Sequence, residues 1–131
     1  MLNFASQDTS KQLLSGEGWR IGFRSDVDIY KGLVGTDSWA IELTKSEFND
    51  FCKLASQLAE TMQLMAAELS DGEKICCTLE TEDISLEVNG FPDAFTLHLQ
   101  FLTGRRFEGF WDAAAVPFLI GAIANIIAAR S

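Results

Sequence analysis

The sequence contains few of the residues on which catalytic and metal sites are usually built. It has one histidine, His98, and three cysteines, Cys52, Cys76 and Cys77, with no CxxC pair. A zinc site needs four soft ligands at suitable spacing, and this set does not supply them. Nucleophilic catalysis needs a base held beside the nucleophile, and no serine or cysteine lies near His98 in the sequence. We therefore expect no enzyme, no metal and no cofactor, and structural thiols in a cytoplasmic protein.

Positive charge is also scarce. The chain has 10 lysines and arginines against 19 acidic residues, a net charge of -9. This balance disfavours general binding to duplex DNA or to acidic lipid. The segment GRRFEG at 104–109 has two glycines but lacks the Lys-Ser/Thr of a phosphate-binding P-loop. Acidic residues gather at the turn between Glu80 and Glu87, where a solvated face is the favoured interpretation and a bound hard cation is the alternative.

Long hydrophobic runs are absent, with one exception near the C-terminal end. Residues 113–129 carry no charge over 17 positions, which is at the lower limit for crossing a bilayer. Pro117, Gly121 and Asn125 interrupt this run, which favours a helix buried in a core or an oligomer over a membrane span. The N-terminal stretch carries Asp8 and no apolar run, so we expect no signal peptide. We expect residues 1–15 to form a flexible arm.

The residues that are present predict one folded domain with a real core, since 47% of the 131 residues are hydrophobic. Alternating apolar residues predict strands at 18–24, 29–35 and 38–43. Thr44 and Glu47 form a capping-box pattern, which predicts a helix that runs about seven turns to residues 70–72. At about 37 Å this helix would exceed the ~30 Å width of such a domain. Leu54 and Leu64 lie off its apolar stripe, which indicates that a second subunit covers part of the helix.

The second half of the chain repeats this plan. Strands are predicted at 74–80, 83–88, 95–102 and 105–111, and a helix follows Asp112. Residues 39–51 and 107–119 align in kind, because an aromatic-rich strand meets a capping residue and then a helix in both. The sequence therefore predicts a single α+β domain from residue 16 to 131, with a β-β-β-α unit over about 16–72 and a β-β-β-β-α unit over about 73–131.

Three segments resemble a small family of unknown function found in cyanobacteria and plants, domain of unknown function 1818. They are GWRIGFR at 18–24, WAIELTKSEFNDFCKLASQLAETMQLMAAEL at 39–69 and GRRFEGFW at 104–111, and the resemblance covers residues 18–120. It implies a fold similar to the Whirly-type single-stranded-DNA-binding transcriptional regulators, with two sheet-plus-helix units packed by their helices. It implies no activity, and since the Whirly nucleic-acid motif is not visible, no binding residue is carried over.

Four arginines are candidates for contact with an anion or a single-stranded nucleic acid: Arg20, Arg24, Arg105 and Arg106. The first two share one face of a predicted strand, and the last two lie on opposite faces of another, whose aromatic residues we expect in the core. Pairing with carboxylates on neighbouring strands is the favoured alternative, and the carboxylates available for it are Glu42, Glu87 and Glu108.

These patterns favour a soluble, non-enzymatic binding or assembly module that acts as a homo-oligomer. The expected partners are a second copy of the chain and an unidentified protein, because the helices carry more apolar surface than one domain needs. The candidate interface residues are Leu54, Leu64, Phe118, Ile123 and Ile127. Single-stranded nucleic-acid binding is the alternative, although the net charge disfavours it. An enzyme with carboxylate chemistry is a weaker alternative, with Glu42, Glu87 and Glu108 as the candidate acid–base residues.

Overall fold

The computed structural model describes residues 11–68 and 72–130. In these residues the chain forms two four-stranded antiparallel sheets, each followed by one helix. The first sheet holds β1 (Lys11–Gly16), β2 (Trp19–Arg24), β3 (Gly32–Gly35) and β4 (Ala40–Leu43), and it leads into α1 (Lys45–Met65). The second holds β5 (Ile75–Glu80), β6 (Ile84–Phe91), β7 (Ala94–Phe101) and β8 (Glu108–Trp111), and it leads into α2 (Val116–Arg130). Each strand pairs with its neighbour in the sequence, which confirms the predicted α+β class.

The first unit has one strand more than predicted. Residues 11–15, which were assigned to a flexible arm, belong to β1 and pair with β2 along its whole length. The alternation in this strand is weak, because β1 lies at the sheet edge and only Gln12 and Leu14 are half-buried. Pairing with β2, a contact that local pattern does not report, makes the segment a strand. Residues 1–10 of the predicted arm lie outside the described residues.

Helix α1 begins where the capping-box pattern predicts. The Thr44 hydroxyl accepts a hydrogen bond from the Glu47 backbone N–H at 3.1 Å, and the Glu47 carboxylate accepts one from the Thr44 N–H at 2.8 Å. The helix ends at Met65, earlier than predicted; of the expected stop signal at 70–72, residues 70 and 71 lie outside the described residues, and Gly72 has a positive φ of 89°. Its 21 residues span about 31 Å, close to the ~30 Å width expected of the domain and shorter than the predicted ~37 Å.

The two units are interlocked through their helices. Helix α1 packs on β5 and β6 of the second sheet as well as on β3 and β4, while α2 packs on β1 and β2 of the first sheet and on β7. Each helix therefore buries side chains on more than one side of its axis. For this reason Leu54 is only 4% exposed and Ile123 is fully buried, so neither is available to the subunit interface in which it was predicted.

Helix α2 begins four residues after the predicted cap. The Asp112 carbonyl accepts hydrogen bonds from the N–H groups of Ala115 and Val116 in a turn that precedes the helix. Pro117 lies in the first helical turn, where its missing N–H has no intrahelical partner to lose. No helix in the described parts of the chain is long and apolar enough to cross a membrane.

Trp111 lies where the two units meet. Its side chain is fully buried, and its indole N–H donates a hydrogen bond to the Gly35 carbonyl oxygen on β3 at 2.8 Å. Its ring centroid lies 5.0 Å from that of Trp39 and 5.6 Å from that of Phe51 on α1. One side chain of the second sheet thus contacts the first sheet and the first helix.

The aligned halves meet at equivalent positions. Trp39 and Phe107, which correspond in the alignment of 39–51 with 107–119, pack with their ring centroids 5.2 Å apart. Contact between equivalent residues is the arrangement expected near an axis of internal two-fold symmetry. Gly109 allows it, since a Cβ atom there would lie 2.6 Å from the Trp39 ring.

Replacement of Thr44 by alanine should lower the free energy of unfolding by about 1 kcal/mol, because the Glu47 N–H then loses its acceptor. Urea unfolding followed by circular dichroism measures this change. The matched control is Thr61→Ala in the same helix, where the hydroxyl bonds only the Gln57 carbonyl and alanine is the better helix former. An equal loss of stability in both variants would contradict a capping role.

Candidate functional site

Arg105 ties the second unit to the first. Its guanidinium donates to the Glu42 carbonyl oxygen at 2.7 Å and to the Glu47 carboxylate at 2.6 Å. It also lies 4.8 Å from the ring centroids of both Tyr30 and Phe101. Glu47 is the capping residue of α1, so one carboxylate serves the helix start and the contact between units. This arginine, a predicted anion contact, is already engaged by protein groups.

Two other candidate arginines also have intramolecular partners. Arg20 donates to the backbone carbonyl oxygens of Thr36 and Trp39 at 2.7 and 3.0 Å. Arg24 makes two parallel hydrogen bonds to Asp26 at 2.7 and 2.9 Å, and these lower the pKa of the Asp26 carboxyl to about 2. The predicted carboxylate partners on neighbouring strands are not used. Arg20 instead uses carbonyl oxygens of the turn between β3 and β4, and Arg24 uses Asp26, two residues further along the chain.

Arg106 differs from its neighbour. It is exposed and precedes β8, which begins at Glu108 and not at residue 105 as predicted. Across residues 11–68 and 72–130 it has no hydrogen bond or ion pair. The four arginines therefore do not form one basic patch, and the structure gives no specific support to a nucleic-acid groove built on them.

The outer face of the second sheet carries a row of polar and aromatic side chains. Strand register places Thr78, Glu87, His98 and Phe110 side by side. The His98 ring stacks on Phe110 with centroids 4.1 Å apart and planes at 4°, and its Nε2 lies 3.1 Å from the Glu108 carboxylate. Phe110, predicted in the core, is 55% exposed, because the inward position next to it belongs to Trp111.

The carboxylates proposed for acid–base chemistry are dispersed. Glu42 lies on the first sheet, and β7 separates Glu87 on β6 from Glu108 on β8. In the acidic turn, Asp83 accepts a hydrogen bond from the Thr103 hydroxyl at 2.8 Å. Within the described residues, no group of three or more histidine, cysteine, aspartate or glutamate side chains is placed to hold a metal ion.

The three thiols occupy different environments and are all free. Burial raises the pKa of the Cys52 thiol to about 12. The exposed Cys76 thiol donates a hydrogen bond to the Glu87 carboxylate at 3.3 Å, and this bond raises its pKa. Thr78 donates to the same carboxylate oxygen at 3.3 Å. A raised pKa keeps a thiol protonated and slow to react.

Helix α2 has an exposed face without any charged residue. We call this surface the α2 face; its residues are Pro117, Phe118, Gly121, Ala124, Asn125 and Ala128. The opposite side of the helix, with Leu119, Ile123 and Ile126, is fully buried. An amphipathic surface helix would place polar and charged residues toward solvent. In the single chain the charge-free run is therefore half core and half surface; the prediction was a helix buried in a core or an oligomer, and its core half is confirmed.

Three predicted interface residues lie at the surface. Phe118 is 65% exposed, Leu64 near the end of α1 is 67% exposed, and Ile127 near the end of α2 is 41% exposed. Phe118 borders a cleft of about 520 Å³ that Trp19 and Asp112 also line. On the other flank of α2, Ile120 and Ala124 border a groove of about 410 Å³ against α1. The α2 face thus lies between two shallow depressions.

The protein is thus of the α+β class and is built from two units, each a four-stranded antiparallel sheet and a helix. Each helix packs against the sheet of the other unit as well as against its own. The sequence matches the family described as Domain of unknown function (DUF1818) over residues 14–126. Since this match covers most of the chain, the protein belongs to that family, which confirms the predicted resemblance.

A solved structure shares this fold. It is the crystal structure of a protein of unknown function from Prochlorococcus sp. NATL2A, described as belonging to the DUF155 family. The two are 29% identical, with a TM-score of 0.81, over 88% of this chain and 97% of the other. No curated protein gives a significant match. The similarity to Whirly-type regulators stays a prediction, because none of these three comparisons tests it.

Arg105→Ala should lower the free energy of unfolding by about 2–3 kcal/mol, because it removes a charged hydrogen bond and leaves the Glu47 carboxylate without its cation. Denaturant titration measures the change. The matched control is Arg106→Ala, which should stay within about 0.5 kcal/mol of the wild type because its side chain is exposed. Equal effects at both positions would contradict the assignment of Arg105 as the tie between units.

Glu87→Gln should speed alkylation of Cys76 several-fold at pH 8, since loss of the carboxylate lowers the thiol pKa and raises the thiolate fraction. Brief treatment with iodoacetamide, followed by peptide mass spectrometry, measures the rate. Glu80→Gln on the same strand is the control for a change of charge alone. Cys52 should stay unmodified until the protein unfolds, and an unchanged rate at Cys76 would count against the hydrogen bond.

Proposed function

We propose that this protein is a non-enzymatic binding and assembly module that acts as a homo-oligomer, with the α2 face as the contact between copies. The observation that carries this proposal is the exposed side of α2, which presents Phe118, Gly121 and Ala124 to solvent without a charged residue among them. Contiguous apolar surface on a folded chain marks an interaction site more often than chance exposure does.

Electrostatics favours a second copy as the occupant of the α2 face. Each chain carries a net charge of -9, so two copies repel each other at long range and dock best where neither presents a charge. Residues 113–129 contain no charge, and their exposed positions meet this condition. A two-fold pairing places the α2 face against its own copy, so no like charges meet within the face.

The shape of the α2 face suits close packing of two helices. Pro117, Gly121, Ala124 and Ala128 are one helical turn apart and form its centre. Side chains this small let helix axes approach toward the lower end of the usual range of about 8–10 Å. Phe118 at the flank supplies a large side chain of the kind that anchors interfaces.

Sedimentation equilibrium or light scattering across a concentration series tests this proposal. The wild-type mass should rise toward twice the 14.4 kDa of the chain, and Gly121→Arg should hold it at the monomer value. A Cβ atom at Gly121 would point into open space in the monomer. Arginine is also the better helix former by about 1 kcal/mol, so loss of assembly would not reflect unfolding.

The matched control is Gln100→Arg, an exposed position on the second sheet with the same change of charge. Both substitutions reduce the net negative charge, so general repulsion cannot explain dissociation. The control should assemble like the wild type. A wild-type chain that stays at the monomer mass at high concentration, or a Gly121→Arg variant that assembles normally, would defeat the proposal.

A further inference from the structure

Three cations lie side by side on the outer face of the first sheet. Lys11 on β1 is directly opposite Arg24 on β2. The Arg24 backbone N–H donates to the Lys31 carbonyl oxygen at 2.8 Å. This bond places Lys31, just before β3, beside Arg24 in the same row. Like charges directly opposite one another destabilise a sheet. Asp26 neutralises Arg24, whereas Lys31 donates to the uncharged carbonyl oxygens of Ser25 and Val27. The row therefore keeps a surplus of positive charge in an acidic protein.

The next row on this face is apolar over three strands. Leu13, Gly22 and Leu33 are directly opposite one another on β1, β2 and β3, and Glu42 ends the row on β4. Gly22 carries no side chain, and the Leu13 side chain leans into the space beside it, since a Cβ atom at Gly22 would lie 3.0 Å from Leu13 Cδ1. Leu13 is itself 68% exposed, so its outer side is open to a ligand.

The two rows border one groove. Its volume is about 270 Å³, and its lining includes Leu13, Gly22 and Leu33 together with Tyr30, all three cations and Glu42, the acidic residue at the β4 end of the apolar row. Pockets for drug-sized ligands measure about 300–1,000 Å³, so this groove suits one short apolar chain and not a ring system of several members. An apolar floor beside a cationic rim is complementary to a molecule with an apolar body and an anionic end.

We propose that this groove binds a small amphipathic anion with a single aliphatic chain. The chain lies along Leu13 and Leu33. The head group, a carboxylate or a phosphate monoester, meets Lys11 and Arg24 on β1 and β2, while Glu42 lies on β4 at the other end of the groove. Arg24 has a free nitrogen for this contact, since Asp26 occupies its Nε and one Nη. The groove lies on the outer face of the first sheet, away from the α2 face, so the inference goes beyond the proposed oligomer and does not depend on it.

Titration of the full-length protein with decanoate, decyl phosphate and decanol, by calorimetry below the micelle concentration, tests the ligand class. At least one anion should bind saturably at one site per chain, about ten-fold more tightly than decanol, which corresponds to about 1.4 kcal/mol. The two anions distinguish a carboxylate ligand from a phosphate ligand. Absence of saturable binding by either anion, or equal binding of decanol, would overturn the proposal.

Two variants test the residues. Lys11→Glu should weaken binding of the anion about ten-fold or more, and Lys53→Glu, an exposed position on α1 with the same charge change, should not. Leu13→Ser should weaken decanoate more than octanoate, because a longer chain makes more contact with this leucine. If Lys11→Glu and Lys53→Glu weakened anion binding equally, the change in net charge would explain the effect, and the groove would be rejected as the site.

The Gly121→Arg variant separates this inference from the proposed function. It changes only the α2 face, so it should bind the anion like the wild type whether or not the wild type assembles. Anion binding by a monomeric wild type would leave the groove in place and reject the oligomer alone. Loss of binding in Gly121→Arg would show that the groove depends on assembly, contrary to the proposal.

Discussion

The rest of the structure depends on the hydrogen bond between the Trp111 indole N–H and the Gly35 carbonyl oxygen. A fully buried indole N–H without an acceptor is costly, so the two sheets cannot separate or slide without losing this bond. The same ring packs on Trp39 and Phe51, which adds two aromatic contacts to one polar one. Arg105 and Glu47 make a second tie between the units, nearer the surface.

Locking the units together decides which surfaces remain for function. Because each helix packs against both sheets, one side of α2 stays outside, and the outer faces of both sheets stay open to solvent. The exposed features then differ in chemistry: a charge-free helix face around Gly121, a polar and aromatic row around His98, and a groove over Gly22 with a cationic rim. The helix face, proposed to bind a second copy, and the groove, proposed to bind an anion, lie on different sides of the molecule.

Much of the fold could be predicted because its signals are local. The capping box at Thr44 and the alternation in β2, β6 and β7 depend on residues a few positions apart, and the structure confirms them. β1 was missed because its pairing with β2 supplies what its own pattern lacks. Leu54 and Ile123 were misplaced because the elements that bury them come from the other unit.

The candidate sites were predicted less well, since each depends on distant neighbours. The sequence identified the arginines and the uncharged run, yet the acceptors for Arg105 lie about 60 residues away, at Glu42 and Glu47. With Trp111 inward, alternation along the strand already places Phe110 outward, but its contact with His98 needs the pairing of β7 with β8. The groove over Gly22 forms only when three strands come into register.

By itself, the sequence determined the class of fold, the start of α1, the repeated plan, the acidic surface and a helix without charge, because composition and local periodicity are properties of the chain alone. The tertiary structure decided which side of α2 faces solvent, which arginines are engaged and where an apolar groove lies beside a row of cations. Burial and hydrogen bonding depend on residues that are far apart in the chain and adjacent only after the two units have packed.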